Sequence, residues 1–144
     1  MSYKGFFHYL SYLQYPFMAV SFYYYFLFVF SFKSGEGAWL QINTMLILMG
    51  VAISFSTLQD TSKVQNKLSR KVWQSPKKGK AFIYSLSLII LLTISAGLYF
   101  YFNTAISALK EVSIGLIVLS IGLIGLLKTA IEMFEKHRSD KKLS

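Results

Sequence analysis

Long apolar runs alternate with short polar segments along this chain, and the alternation predicts its elements. Four apolar runs cover about residues 16–32, 38–58, 81–102 and 112–131. A helix rises about 1.5 Å per residue, so about 20 apolar residues are needed to cross a hydrocarbon core of about 30 Å. The pattern therefore predicts an all-α membrane protein, in which residues 1–144 form a single domain of four transmembrane helices.

The first apolar run is preceded by an aromatic segment that complicates where the first helix begins. As one straight helix, the segment from Phe6 to Phe32 would be about 40 Å long, which exceeds the hydrocarbon thickness. Pro16 offers a break, because proline disfavours helix at the residue before it and suits a first helical turn. Two arrangements follow: an interfacial helix over Lys4–Gln14 with a span starting at Pro16, or one tilted helix kinked at Pro16.

A basic segment, Gln59–Lys80, separates the second and third runs. It has Asp60 as its one acid and seven basic residues, which are Lys63, Lys67, Arg70, Lys71, Lys77, Lys78 and Lys80. Such a segment cannot lie in hydrocarbon, and each Lys or Arg near an anionic lipid surface contributes about 1 kcal/mol of attraction. We therefore expect these seven side chains to contact anionic headgroups.

The same segment carries signals for a short helix. Asp60, Thr61 and Ser62 are residue types that cap helix N-termini, and Ser75 followed by Pro76 is a stop signal. A helix from about Ser62 to Trp73 is predicted, lying in the membrane plane as an amphipathic element. The alternative is that the second span continues as a stalk into the cytoplasm.

The distribution of basic residues predicts the orientation. Of the 15 Lys and Arg residues, only Lys33 and Lys110 lie in the two loops on the side opposite the basic segment. Short loops rich in Lys and Arg stay in the cytoplasm. The prediction is a cell-membrane protein, as in a bacterial inner membrane, with both termini cytoplasmic. The polar tail, residues 135–144, is predicted to be disordered.

Composition narrows the functional classes. The chain is 54% hydrophobic with a net charge of +9, and its mean hydropathy is +0.48. Nucleic-acid binding needs basic residues on a folded face among polar and stacking groups, whereas these basic residues flank apolar runs. No nucleic-acid partner is therefore expected. The absence of cysteine excludes disulfides and thiol chemistry.

The residues that would carry chemistry are missing from the apolar runs. The first three apolar runs, and the fourth run up to Leu127, contain no Asp, Glu, His, Lys or Arg. Proton relays and ion paths in membranes depend on such groups. His8 and His137 have no ligand spacing to a carboxylate. We predict no cofactor, no metal and no catalytic residue. Asp60 is interpreted as a helix cap, and a lipid-active enzyme built on Asp60 is an alternative.

Small and weakly polar residues form one stripe on each of two spans. Positions seven, eleven and fourteen residues apart share a helix face, since each residue turns the helix by about 100°. The stripe on the second span is Asn43, Gly50, Ser54 and Thr57. The stripe on the fourth, which is slightly wider, is Gly115, Gly122, Gly125 and Thr129. Small residues let membrane helices approach closely, so both stripes are predicted to be helix-packing faces. A pore lined by hydroxyls is the alternative.

These observations favour an accessory or interaction subunit of a membrane assembly, and not an enzyme. The small-residue faces would hold a protein partner or a second copy of the chain. An oligomeric transporter or channel for small solutes is the second hypothesis.

Overall fold

The computed structural model of the protein describes residues 3–34, 37–59 and 67–140. Within these ranges the chain forms helices and no strand. The helices are α1 (Tyr3–Ser11), α2 (Gln14–Ser34), α3 (Ala38–Ser56), α4 (Lys67–Gln74), α5 (Pro76–Asn103) and α6 (Ser107–His137).

Four helical segments are long and apolar enough to cross a membrane, which confirms that part of the prediction. They correspond to α1 with α2, to α3, to α5 and to α6. With 19 residues, α3 just matches the hydrocarbon thickness. The 28 residues of α5 and the 31 of α6 give about 42 and 46 Å of helix, so both are longer than the hydrocarbon core is thick.

The first helical segment is broken at Tyr12 and Leu13, one turn before Pro16. The two backbone N–H groups there donate to the carbonyls of Tyr9 and Leu10, three residues back, at 3.1 Å each. A proline ring collides with the carbonyl four residues earlier, which here belongs to Tyr12. The break therefore lies earlier than the predicted boundary at Pro16, and Pro16 itself occupies the first turn of α2, where no N–H donor is needed.

The later helices are longer than predicted. α5 begins at Pro76 instead of residue 81, because Ser75 accepts a hydrogen bond from the Lys78 N–H at 3.5 Å and the proline fits the first helical position. α6 continues to His137, so the first three residues of the predicted disordered tail are helical. Arg138 follows it and pairs with Glu135 at 3.4 Å. Residues 141–144 lie outside the described ranges.

The four long helices form a row. Extensive contacts join α2 to α3, α3 to α6, and α6 to α5. The spatial order is therefore α2, α3, α6, α5, in which α3 and α6 are each packed on two sides. The two outer helices, α2 and α5, are each packed along one side.

Small polar side chains form much of the buried interior. The largest fully buried side chains among the described residues are serines, and Ala52 is fully buried as well; the serines are Ser11, Ser21, Ser113 and Ser120. The Ser21 hydroxyl on α2 donates to the Met45 carbonyl on α3 at 3.0 Å. The hydroxyl oxygens of Ser120 on α6 and Thr93 on α5 are 2.9 Å apart. Close approach with interhelical hydrogen bonds is the usual way in which membrane helices associate.

The short helix α4 packs against the adjoining ends of α5 and α6. Its Trp73 is buried in a cluster with Ala130 and Phe134, and its ring meets Phe82 edge-on at 5.3 Å. The Ser139 hydroxyl, beyond α6, donates to the Gln74 carbonyl at 2.9 Å. One end of the row, called here the α4 end, is therefore a packed structure and not an open loop.

The predicted helix over residues 62–73 is only partly described, since residues 60–66 lie outside the described ranges. Across the described part, the second span does not continue as a stalk. α3 ends at Ser56, where Thr57 donates its N–H to the Ile53 carbonyl at 3.2 Å, and a turn follows to Gln59.

Candidate functional site

The two small-residue stripes lie against each other within one chain. The amide oxygen of Asn43 accepts a hydrogen bond from the Gly115 N–H at 2.9 Å. Further along, Gly50 and Gly122 bring the two backbones together: a Cβ at Gly122 would overlap the Gly50 carbonyl oxygen, and a Cβ at Gly50 would lie 2.7 Å from the carbonyl oxygen of Val118. Both positions therefore require glycine.

The far end of the same interface is looser. A Cβ at Gly125 would lie 3.2 Å from the methyl carbon of Thr57, which can rotate away. The Thr57 hydroxyl donates to the Ser54 carbonyl at 2.7 Å, and the Ser54 hydroxyl donates to the Gly50 carbonyl at 2.9 Å. These hydroxyls are thus satisfied within α3, and the backbone contact between Gly50 and Gly122 leaves no room for a solute between α3 and α6.

A broad aromatic face of α2 has no protein cover among the described residues. Ser21 points to α3 and is buried, whereas Phe22, Tyr23, Phe26 and Phe30 lie on other sides of the helix and are exposed, Phe30 by 68% and Tyr23 by 60%. We call Phe22, Tyr23, Phe26 and Phe30 the aromatic face. Its members are large, rigid side chains of the kind that dominate contact surfaces.

Tyr23 is the unusual member of the aromatic face. It lies near the middle of the 21 residues of α2, about 15 Å of helix from either end. Tyrosine favours the membrane interface, where its hydroxyl meets water. The Tyr23 ring packs edge-on against Tyr24 at 5.7 Å, but its hydroxyl makes no hydrogen bond to any described residue. Its signal in the sequence is three consecutive tyrosines, Tyr23 to Tyr25, in the middle of an aromatic first span.

Five of the seven predicted lipid-contact side chains are described, and they lie at the α4 end. Exposed basic side chains lie on α4 and on the first turn of α5, and they are Arg70, Lys71, Lys77, Lys78 and Lys80. None of them forms an ion pair with a described residue. Lys67 begins α4, but its side chain is not described. Lys63, like Asp60, lies outside the described ranges. We call the five exposed side chains the basic surface.

Within the described residues, no group of three or more His, Asp or Glu side chains is placed to hold a metal ion. The His8 ring nitrogen Nε2 lies 3.5 Å from the Tyr12 hydroxyl, and the two rings meet edge-on at 5.4 Å. His8 thus sits among aromatic side chains at the end of α1.

Comparisons with protein-family models, with curated proteins and with solved structures find no match.

Proposed function

We propose that this protein is a multi-pass membrane protein that acts as an accessory or interaction subunit of a membrane assembly, with a partner protein seated on the aromatic face of α2. Both termini would be cytoplasmic, because the basic surface and the C-terminal basic residues lie at the same end of the row. The small-residue faces of α3 and α6 cover each other, so the partner surface is expected on α2 instead.

The position of Tyr23 carries this proposal. In a membrane-embedded α2, its hydroxyl lies in hydrocarbon, and a tyrosine side chain is too short to bridge about 15 Å to the headgroups. Transfer of an unpaired hydroxyl from water into such an environment costs several kcal/mol, roughly 4–8 on a cyclohexane scale. A partner helix that presents a carbonyl or polar side chain at the same depth would remove this cost.

Side-chain entropy also favours a protein partner. Phe and Tyr have few rotatable bonds, so their ordering in an interface costs little, and they are enriched in the central part of protein interfaces. The opposite outer helix provides a contrast. The exposed side chains near the middle of α5 include Leu88, Ile89, Leu91 and Leu92, which are aliphatic and need nothing but lipid tails.

Site-specific photocrosslinking in native membranes tests the proposal. A benzophenone amino acid at Phe26 or Phe30 should crosslink to one defined protein, whereas the same probe at Leu88 or Leu91 on α5 should yield lipid adducts. Lipid adducts alone from both helices would contradict the proposal.

The Tyr23→Phe variant isolates the hydroxyl. It keeps the ring and should weaken the association by about 0.6 kcal/mol and by no more than about 1.7 kcal/mol, the average and the maximum for hydrogen bonds between membrane helices. The loss is smaller than the cyclohexane transfer cost because the unassociated helix also finds partners for its hydroxyl in the membrane. Unchanged association of Tyr23→Phe with a crosslinked partner would show that the hydroxyl does not bind that partner.

The other functions predicted from the sequence have less support. A solute path along the stripe on α3 is opposed by the direct contact between Gly50 and Gly122. A lipid-active enzyme rests on Asp60, outside the described ranges, and remains a prediction. Its test is Asp60→Asn, which as a helix cap should lose no more than about 1 kcal/mol of stability.

A further inference from the structure

The basic surface lies over the buried hydrophobic cluster of Trp73, Ala130 and Phe134 at the α4 end. Trp73, Ala130 and Phe134 hold α4 against α5 and α6, so the cations of α4 have a fixed support. On α5, Gly79 lies directly under the Phe134 ring. Lys77, Lys78 and Lys80 are turned away from that contact and are exposed. Ten residues of helix, 70–74 of α4 and 76–80 of α5, together with the Ser75 turn between them, thus present five cations at one end of the molecule.

Helix length places this end at the level of the headgroups. α5 is about 12 Å longer than the hydrocarbon is thick, and α6 exceeds it by about 16 Å. This extra length allows the first turns of α5 and the last turns of α6 to lie outside the hydrocarbon. These turns are the parts of the two helices that contact α4. Trp73 and Phe82 lie at the same level, as aromatic side chains do at a membrane interface.

We propose that the basic surface binds the phosphate groups of anionic phospholipids, and that this binding stabilises the packing of α4 on α5 and α6 beyond what the Trp73 cluster provides. Cations on both sides of the Ser75 turn contact the same lipid surface. The phosphate groups therefore attract α4 and the start of α5 at the same time and reduce the repulsion between them. In the absence of anionic lipid, Arg70 and Lys71 on α4 repel the lysines of α5. No described carboxylate forms an ion pair with any of the five cations of the basic surface.

The neighbouring side chains favour a lipid surface over a soluble polyanion. One to two turns along α5 from the lysines, Phe82 is exposed and Tyr84 is exposed by 73%. A bilayer covers both parts at once, with headgroups against the cations and acyl chains against the aromatic rings. A soluble polyanion, nucleic acid included, would satisfy the charges and leave the aromatic rings in water.

Hydrogen exchange in nanodiscs tests the proposal on the full chain. The backbone amides of residues 67–74 should exchange more slowly in discs that contain phosphatidylglycerol than in discs of phosphatidylcholine alone. The Lys77→Gln/Lys78→Gln variant should lose this protection and should retain less phosphatidylglycerol in native mass spectrometry. About 1 kcal/mol per cation corresponds to about fivefold weaker retention for each lysine removed. Higher salt should reduce the difference in hydrogen exchange between the two kinds of disc.

Lys110→Gln is the matched control. Lys110 is also exposed, but it lies at the opposite end of α6, with its ammonium 5.6 Å from the centre of the Tyr101 ring. Its replacement should leave protection of residues 67–74 unchanged. If Lys77→Gln/Lys78→Gln alters the fold in phosphatidylcholine discs, the Arg70→Gln/Lys71→Gln variant, on α4 itself, provides the same measurement.

Three results would overturn the proposal. The first is equal protection of residues 67–74 in both kinds of disc. The second is an equal loss of lipid retention in Lys110→Gln and in Lys77→Gln/Lys78→Gln. The third is protection of α4 by inorganic polyphosphate in phosphatidylcholine discs as strong as that given by phosphatidylglycerol, which would assign the surface to a soluble anion. The aromatic face of α2 takes no part in any of these measurements.

Discussion

Alanine at position 122 would test the contact that joins α3 to α6. The added Cβ overlaps the carbonyl oxygen of Gly50 and approaches its carbonyl carbon and Cα to 3.1 Å. All three are backbone atoms of a helix, so none can rotate away as a side chain could. The two helices must therefore move apart to admit a single methyl group.

The magnitude follows from three contributions. Overpacking by one methyl group costs about 1–3 kcal/mol. Separation of the helices also breaks the hydrogen bond from the Gly115 N–H to Asn43, and such bonds average about 0.6 kcal/mol in membrane proteins. Alanine is the better helix former and returns about 1 kcal/mol. We expect Gly122→Ala to lower the free energy of unfolding by roughly 0.6–2.6 kcal/mol.

Reversible unfolding in mixed micelles, followed by circular dichroism, measures this loss. Two glycines on the same chain are graded controls. A Cβ at Gly5, within α1, meets nothing within 4 Å, so Gly5→Ala should be at least as stable as the parent and should gain up to about 1 kcal/mol from the helix propensity of alanine. A Cβ at Gly125 meets the Thr57 methyl carbon at 3.2 Å, so the stability of Gly125→Ala should lie between those of Gly5→Ala and Gly122→Ala. If Gly122→Ala and Gly5→Ala unfold at the same detergent concentration, the contact between α3 and α6 is not as close as the structure gives it.

Three further predictions concern other parts of the row. Asn43→Ala removes the acceptor for the Gly115 N–H and should cost about 0.6–1.7 kcal/mol in the same unfolding assay; no loss would mean that this bond is not formed in micelles. Trp73→Ala should release α4 and make the chain more sensitive to trypsin at Arg70, with about 3–5 kcal/mol lost if the site does not collapse; an unchanged digestion rate would contradict the packed α4 end. The proposed orientation predicts that a cysteine replacing Ser75 is shielded from an impermeant reagent added outside intact cells, whereas one replacing Ala105 is labelled; the reverse pattern would invert the topology.

Helix positions could be predicted from the sequence because they depend on local hydropathy. Runs of about 20 apolar residues have one favourable structure in hydrocarbon, a helix that satisfies its own backbone groups. The boundaries were harder to predict. Pro16 acts on the carbonyl four residues before it, so the break lies at Tyr12 and Leu13. Ser75 followed by Pro76 was used as a stop signal for the short helix. The same two residues also start α5, and this second role was overlooked.

The pairing of the helices could not be predicted from the sequence. Asn43 and Gly115 stood out because small residues recurred at helical spacing, but spacing says nothing about which two stripes meet. Either stripe could have faced another subunit. Ser21 and Ser120 were missed for a related reason: serine is common on every face of such helices, and its burial depends on a neighbour that lies far away in sequence.

The order of the helices in the row has a consequence for biosynthesis. α2 and α3 are consecutive in the chain and in space, and so are α5 and α6. The single extensive contact between these two hairpins joins α3 to α6, which is synthesised after α2, α3 and α5. The first hairpin can therefore close before α6 has been translated, but its Gly50 face stays exposed to lipid or to an insertion factor until Gly122 has been synthesised. In the same way, α5 is inserted before its packing partner α6 has been synthesised. A chain truncated before α6 would thus lose the element that joins its two halves and not merely one span.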